Sequence, residues 1–173
     1  MSTSCVVMVG TGPLPELLMR QVCTGLAEES GIPLSSHAVG ESPSAVLEGC
    51  SSARLLLRLS GDAAQLVREG GSWLEALADW RTPVLLFTMA EPDGSISGSA
   101  AAWSALCRQL KVPLIGLVQL QGRWDAAARR RDGLPWCGWI PTTDHPQRNE
   151  AVASLAEVLR RGRLTASSAR AAV

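Results

Sequence analysis

A glycine turn, Gly10-Thr11-Gly12, directly follows the first apolar run and is the first feature of the chain that could do chemistry. Backbone N–H groups and the helix dipole attract anions where a strand turns into a helix. An ATP-cleaving phosphate loop adds a lysine for the terminal phosphates and a hydroxyl for magnesium. Here Pro15 and Glu16 follow instead, and proline has no N–H to donate. We therefore expect either weak binding of a nucleotide or anion at the turn, or a simple strand-to-helix connection.

The two histidines could supply acid–base chemistry. His37 lies near Glu41 at the end of the second predicted strand, and a histidine beside a carboxylate can act as a general base. A strand-end histidine without a chemical role is the simpler interpretation. His145 precedes a proline and is typical of a helix N-cap turn. Because the two histidines are far apart in the sequence, they give no metal-binding spacing, and we predict no metal site.

The segments that must position these residues alternate between apolar runs and stretches with helical spacing. Continuous apolar runs indicate strands buried on both faces, and parallel strands of this kind are joined by helices. We predict strands at 5–9, 34–39, 55–59, 83–88, 112–118 and 137–140, and helices at 13–30, 43–50, 62–80, 98–110 and 146–161. The sequence therefore predicts one three-layer α/β/α domain over residues 1–162, with a mostly parallel sheet of about five or six strands. A polar stretch at 121–133 interrupts it, and a flexible tail is expected at 163–173.

Charge and composition restrict the partners. The 16 basic and 16 acidic side chains balance, whereas binding to nucleic acid or an anionic membrane normally needs a basic excess. A net charge near zero favours self-association, so we expect a homodimer. No apolar stretch approaches the roughly 20 residues of a membrane span, and no signal peptide is recognisable. The 5 scattered cysteines give no disulfide framework and indicate a reducing, cytoplasmic compartment.

Three of the 6 tryptophans, Trp124, Trp136 and Trp139, cluster around one predicted loop. An exposed aromatic cluster of this kind is typical of a surface that binds a protein partner. Burial of the same side chains in the core is the other interpretation, because large aromatic residues are highly buried on average.

Four segments in the second half of the chain share a pattern with one known family. They are PVLLF at 83–87, DGSISG at 93–98, VPLIGLV at 112–118 and GLPWCGWIP at 133–141. Together they resemble a strand, a loop and two further strands of the dethiobiotin synthetases, across about residues 65–160. The resemblance implies a P-loop-related α/β fold, an ATP-dependent ligase reaction, and ATP or another nucleotide as the cofactor.

The resemblance also implies where parts of a binding site lie. Ser95 and Ser97 fall in the loop that corresponds to the family's G-T-I-N-H segment, and we assign them to the substrate side. The family has a base-contacting asparagine after its fifth strand, where this chain has Gln119 or Gln121. We therefore expect these glutamines to contact a nucleotide, together with the glycine turn.

Other parts of the family's site are missing. The substrate lysine near the second strand is absent, and His37 with Glu41 is the nearest titratable pair, which we assign to the substrate. Lys111 is the only lysine in the chain, so none follows the glycine turn. Losing one preorganised contact to a phosphoryl group costs about 3 kcal/mol of transition-state stabilisation. We therefore expect a dethiobiotin synthetase-like protein with a degenerate nucleotide-binding loop that lacks normal ATP-dependent ligase activity.

Two other functions fit the same sequence. One is a non-enzymatic regulatory or partner-binding dimer that uses the loop after Phe87 and the following helix as its interface. The other is a flavodoxin-like protein that binds a flavin or nicotinamide at the glycine turn. Fold alone does not choose between them, because this architecture carries many functions.

Overall fold

A sheet of six strands forms the centre of the computed structural model, which describes residues 5–50, 54–67 and 71–168. In chain order the strands are β1 (Cys5–Gly10), β2 (Leu34–Ala38), β3 (Leu55–Ser60), β4 (Val84–Met89), β5 (Leu114–Leu120) and β6 (Trp136–Ile140). They lie side by side in the order β2-β3-β1-β4-β5-β6, and every pairing is parallel. The predicted α/β fold with a mostly parallel sheet is therefore confirmed.

Helices cover both faces of this sheet. Within the described residues they are α1 (Glu16–Ser30), α2 (Pro43–Cys50), α3 (Trp73–Asp79), α4 (Ser99–Leu110), α5 (Ala126–Arg131) and α6 (Arg148–Ser168). Successive side chains of a strand point to opposite faces, so β1 contributes to two cores. Val7 and Val9 pack with α2, α3 and α4, whereas Val6 and Met8 pack with α1 and α6. This arrangement gives the three predicted layers.

The predicted helix at 62–80 is wrong in its first half. Only α3 is helical, and residues 68–70 lie outside the described residues. Gly71 has a left-handed φ of 79°, a conformation that a regular helix does not contain. Ser72 then caps α3, because its extended backbone lets Oγ accept the N–H of Glu75 at 3.3 Å. The glycine and the serine start a new helix here instead of continuing an existing one.

Two boundaries differ from the sequence-based prediction. α5 occupies part of the polar stretch at 121–133, where the carboxylate of Asp125 accepts two backbone N–H groups of the first turn at 2.9 and 3.0 Å. A short helix with a good cap needs little apolar spacing, so it left no periodic signal. α6 continues to Ser168, past the predicted start of the tail, and residues 169–173 lie outside the described residues.

The connections change direction around β1. The chain leaves β1 through α1 on one face and crosses β3 to reach β2, whereas it leaves β4 through α4 on the other face to reach β5. Open α/β sheets bind ligands outside the carboxyl ends of the strands where connections diverge in this way. In dinucleotide-binding and flavodoxin-like sheets β1 and β2 are neighbours, but here β3 separates them. The strand order therefore differs from that of the flavodoxin-like alternative.

The thiols behave as part of the packing. All five cysteines are free, and Cys137 is the one that is not fully buried. Cys23 and Cys107 are completely inaccessible and fill space as small hydrophobic groups.

In the described part of the chain, none of the helices is long and apolar enough to cross a membrane.

Candidate functional site

The glycine turn after β1 has one of its own side chains packed against Gly10. A Cβ placed on Gly10 would lie 2.8 Å from the carbonyl oxygen of Gly12 and 2.8 Å from Cδ1 of Leu14, so the leucine folds back over the turn. The N–H of Thr11 donates to the carbonyl of Phe87 in β4 at 2.8 Å and is thereby engaged. A phosphate that approached this turn would meet a leucine side chain and an engaged donor instead of an open cradle.

An internal ion pair occupies the N-terminus of α1. Oε1 of Glu16, in the first turn, accepts a hydrogen bond from Nη1 of Arg58 at 2.6 Å, and Nη2 of Arg20 lies 3.6 Å away. Arg58 is buried on β3, and its Nε donates to Oγ of Ser36 at 3.2 Å. A helix N-terminus favours negative charge, and the carboxylate supplies that charge from within the chain. The chain therefore places a negative charge of its own in the first turn of α1, where an external anion would otherwise be favoured.

Hydroxyl groups gather beside the glycine turn. Oγ1 of the buried Thr11 lies 3.4 Å from Oγ of Ser99, which in turn lies 2.6 Å from Oγ of Ser97. Ser97 is therefore brought close to the turn. Ser95 instead stays in the outer part of the loop, where its N–H donates to Oδ1 of Asp93 at 2.8 Å. Hydrogen bonds from the backbone and side chain of Ser95 lower the pKa of the Asp93 carboxyl.

Gln119 is assigned to a nucleotide from the sequence, but in the structure its side chain lies in an internal hydrogen-bond network. The side chain is completely buried, and its Nε2 donates to the carbonyl oxygens of Gln121 at 2.9 Å and Arg123 at 3.2 Å. Its Oε1 accepts from Nε of Arg129 at 3.1 Å. The buried Arg129 also donates to Oδ2 of Asp132 at 3.0 Å and to the carbonyl of Gly94. The amide of Gln119 is therefore fully occupied in holding the loop after β5. Of the two glutamines, Gln121 is the one that lines a cleft.

A cleft of about 590 Å³ lies outside the carboxyl ends of β4, β5 and β6. Its wall includes Met89, Glu91, Gln121, Trp139, Pro141 and His145. The rings of Trp139 and His145 meet edge to face, with centroids 5.1 Å apart and planes at 74°. The indole N–H of Trp139 donates to the carbonyl of Gln121 at 3.0 Å, which fixes the ring against the loop. Clefts that bind small molecules combine such apolar walls with a few fixed polar groups.

Two glycines let the loops behind this cleft approach each other. A Cβ on Gly122 would lie 2.3 Å from the carbonyl oxygen of Glu91, and one on Gly94 would lie 2.3 Å from that of Arg123. Both glycines have a left-handed φ, 57° and 89° respectively, and Gln121 also has a positive φ of 56°. The loops after β4 and β5 therefore form one packed wall, because no side chain separates them at these two points.

His37 and Glu41 are brought into contact, as their spacing predicts. Nδ1 of His37 lies 2.9 Å from Oε2 of Glu41, and Nε2 lies 3.0 Å from Oγ of Ser35. The other carboxylate oxygen accepts the N–H of Ala38 at 2.8 Å. The hydrogen bond with His37, followed by the one with Ala38, lowers the pKa of the Glu41 carboxyl. This group lies on β2, with β3 and β1 between it and the strands that border the cleft, so the site residues predicted for one substrate fall in two places.

The three clustered tryptophans pack against one another. The ring centroids of Trp124 lie 6.4 Å from those of Trp139 in a stacked pair and 6.2 Å from those of Trp136 in a T-shaped pair. The guanidinium of Arg129 lies 4.9 Å from the centroid of Trp136, whose N–H donates to Asp132. All three tryptophans are half-buried. Binding of a protein partner at this cluster, and the homodimer, stay predictions.

Sequence reasoning missed the buried cations and the hydroxyl on β2. Arg58 interrupts the apolar run at 55–59, and a charged residue inside such a run was the available signal of an internal ion pair. Ser35 alternates with His37 along β2 and therefore shares its face, a relation that the strand prediction already contained. Arg129 lies in a run of three arginines, where nothing local separates the buried one from its neighbours.

Comparison with known protein-family models and with curated proteins finds no match to this chain. In the described part of the chain there is also no group of three or more histidine, cysteine, aspartate or glutamate side chains that could hold a metal ion. The candidate site is therefore defined by its own geometry.

Proposed function

We propose that the protein is a dethiobiotin synthetase-like α/β domain that binds a planar heterocyclic ligand, such as the base of a nucleoside or nucleotide, without cleaving ATP. The observation that carries the proposal is the cleft at the ends of β4, β5 and β6, which is open and partly aromatic. The N-terminus of α1, by contrast, already holds the carboxylate of Glu16. The ligand's affinity therefore comes from its ring system and not from its phosphates.

The chemistry of the cleft suits a flat ring with polar edges. The half-buried side chains of Trp139 and His145 offer aromatic surface, and Met89 and Pro141 add apolar contact. An aromatic contact with a base contributes about 1–3 kcal/mol. The side-chain amide of Gln121 can donate and accept hydrogen bonds at once, which matches the alternating donors and acceptors on the edge of a base.

The groups around the glycine turn support the proposal that ATP is not cleaved. Lys111 is the only lysine, and it lies at the end of α4, before β5 and away from the turn. Leu14 packs against Gly10, and Glu16 would repel a triphosphate. Because catalysis of this reaction rests on positioning and charge stabilisation, we expect no ATP hydrolysis above background.

Binding is tested by titrating the protein with adenosine, AMP, ATP and FMN and following the heat of binding. We expect adenosine and ATP to bind with similar affinity, because the triphosphate gains no partner. Trp139→Leu should raise the Kd by about tenfold or more, which corresponds to the loss of one aromatic contact. Trp80→Leu is the matched control, since Trp80 is also half-buried but caps α3 on the opposite layer. Binding that depends strongly on the triphosphate, or no saturable binding at millimolar ligand, would overturn the proposal.

The free thiols support a cytoplasmic location for this activity. Five free cysteines fit a reducing compartment, because oxidising surroundings favour the pairing of thiols into disulfides. Mass spectrometry of the protein from its native cells, lysed directly into denaturant that contains an alkylating reagent, measures the thiol state. Five alkylated cysteines are expected.

A further inference from the structure

Ser35, His37 and Glu41 form a continuous chain of hydrogen-bonding side chains. Oγ of Ser35 lies 3.0 Å from Nε2 of His37, and Nδ1 of the same ring lies 2.9 Å from Oε2 of Glu41. A hydroxyl, an imidazole and a carboxylate in this order form the arrangement that activates a serine nucleophile. We infer that these residues form a hydrolytic site for small uncharged carboxylic esters, at the β2 edge of the sheet and separate from the cleft.

The backbone explains why the three groups meet. Ser35 and His37 are two residues apart on β2 and therefore lie on the same face. After the strand, the N–H of Glu41 donates to the carbonyl of Ala38 at 3.1 Å, and the carboxylate accepts the N–H of Ala38 at 2.8 Å. This reciprocal pair pins Glu41 beside the ring. The carboxylate therefore has a second anchor besides the imidazole.

The order of the contacts sets the direction of proton transfer. A carboxylate only accepts hydrogen bonds, so its partner Nδ1 of His37 carries the proton. In the neutral ring the lone pair is then on Nε2, which faces the hydroxyl of Ser35. This tautomer makes the imidazole the base and the hydroxyl the nucleophile. Glu41 does not touch the reacting atoms and acts as a positioning residue.

The open edge of β2 supplies access and a backbone donor. The N–H of Val39 donates to Ser60 and that of Leu56 to Pro33, so the odd-numbered residues of β2 direct their backbone groups to β3. The even-numbered residues direct theirs outwards, and the N–H of Ser36 is therefore at the free edge. It belongs to the residue directly after Ser35, and in α/β-hydrolases the N–H of the residue after the nucleophile is one of the oxyanion donors. A substrate can reach it because β2 pairs only with β3 in the described sheet.

The reaction balances with water as the only co-substrate. Oγ of Ser35 bonds to the ester carbonyl carbon while its proton passes to Nε2 of His37. The tetrahedral intermediate collapses, the bond from carbon to the leaving oxygen breaks, and that oxygen takes the proton from the imidazolium as the alcohol leaves. Water then attacks the acyl-serine, His37 accepts and returns its proton in the same way, and the carboxylic acid and free serine result.

Charge argues for uncharged substrates. The carboxylate of Glu41 is half exposed beside the ring and would repel an anionic acyl group. The buried cation on β3, Arg58, is bonded to Ser36 and Glu16 and lies on the face of the α1 core. Ser35 and His37 lie on the opposite face of β2, together with Val39, which packs with the other core. Arg58 therefore offers no positive charge to an anionic substrate at Ser35.

The test uses the purified full-length protein, an uncharged fluorophosphonate probe and p-nitrophenyl acetate. We expect one covalent adduct per chain, mapped to Ser35, and ester hydrolysis that falls about 100-fold or more in Ser35→Ala and in His37→Gln. Ser44→Ala, an exposed serine on the adjacent α2, should label and turn over like the native protein. Glu41→Gln should lower kcat at an unchanged KM, and Glu41→Asp should restore part of it.

Two results would overturn the inference. One is a native protein that forms no adduct at Ser35, a measurement that needs no variant to fold. The other is ester hydrolysis at the native rate by the Ser35→Ala variant. That rate would mean that His37 attacks the ester directly and that Ser35 is not the nucleophile. Circular dichroism of each variant separates loss of activity from loss of fold.

Discussion

Oε1 of Glu16 lies 2.6 Å from Nη1 of Arg58, and this pair joins the first turn of α1 to the middle of β3. The guanidinium side chain is 7% exposed and the carboxylate 50%, so the cation is the buried partner. A buried cation that loses its counter-charge is destabilising, whereas the half-exposed carboxylate can return to water. The pair therefore stabilises the fold through Arg58 and neutralises the helix N-terminus through Glu16.

Glu16→Gln should lower the free energy of unfolding by about 1.5–3 kcal/mol, the range for a lost hydrogen bond to a charged group. It should also create an anion site, because the guanidinium of Arg58 and the α1 N-terminus then lack a negative partner. We expect sulfate to raise the Tm of the variant more than that of the native protein at matched ionic strength. Differential scanning fluorimetry measures both effects.

Glu28→Gln is the control, since Glu28 is an exposed glutamate of the same helix. It should change neither stability nor the response to sulfate. An equal response to sulfate in native protein and Glu16→Gln would contradict the view that the carboxylate takes the place of an external anion.

Arg129→Met should be one of the most destabilising single changes in the second half of the chain. The buried guanidinium donates to Gln119, Asp132 and the carbonyl of Gly94, and removal leaves these acceptors without that donor. Each buried group left unsatisfied costs about 1–3 kcal/mol, so we expect a total loss of about 2–4 kcal/mol. Urea unfolding followed by tryptophan fluorescence gives the value.

Arg130→Met provides a matched comparison, because Arg130 is the exposed neighbour in the same helix. Its expected effect is within about 0.5 kcal/mol of zero. If the two substitutions proved equally mild, the network around Gln119 would not hold the loop after β5.

The strands could be predicted from the sequence because each buried parallel strand is a short apolar run. Cys5–Gly10 and Val84–Met89 are almost wholly inaccessible, so both faces select apolar residues. The segment at 62–80 could not be predicted in the same way. Its apolar residues have helical spacing, but Gly71 and Ser72 set a turn and a cap, and such local backbone preferences compete with the periodic pattern.

The candidate site residues also divide into those that a local sequence pattern predicts and those that it does not. The contact of His37 with Glu41 is local, and a spacing of four residues across a strand end was enough to predict it. The cleft brings together loops that follow three different strands, and the burial of Gln119 depends on Arg129, ten residues further along the chain. Contacts of that kind are set by sheet order and loop packing, which no local pattern contains.

Gly94→Ala should destabilise the loop that supports the cleft. Gly94 has a φ of 89°, and a Cβ there would lie 2.3 Å from the carbonyl oxygen of Arg123. A non-glycine residue in this region costs about 1–3 kcal/mol, and the clash adds to that value. We expect the Tm to fall by at least about 2–4 °C for each kcal/mol lost, and the affinity for adenosine to fall with it.

Gly98→Ala is the control, because Gly98 has a right-handed φ of −61° and a Cβ there would meet nothing within 4 Å. It should leave the Tm almost unchanged. An unaltered Tm for Gly94→Ala would show that the loops after β4 and β5 can separate without cost.

Alkaline pH should destabilise the protein through its buried thiols. Burial raises the pKa of Cys23 and of Cys137 from 9.0 to about 12, and that of Cys107 to about 11. In the unfolded chain these thiols lose their protons near 9.0, whereas in the folded chain they stay neutral. The stability that this difference contributes is therefore fully present below about pH 9 and is lost as the pH rises towards about 11–12.

We expect the Tm to be flat between about pH 7 and 8.5 and to fall progressively above about pH 9. Ellman's reagent should react slowly with the native protein at about pH 8 and rapidly with all five thiols in denaturant, because only the thiolate attacks. Cys107→Ala should reduce the alkaline loss of stability, since burial is the sole cause of the raised pKa of that thiol. Rapid reaction of five thiols in the native protein would contradict the burial that the packing of both cores requires.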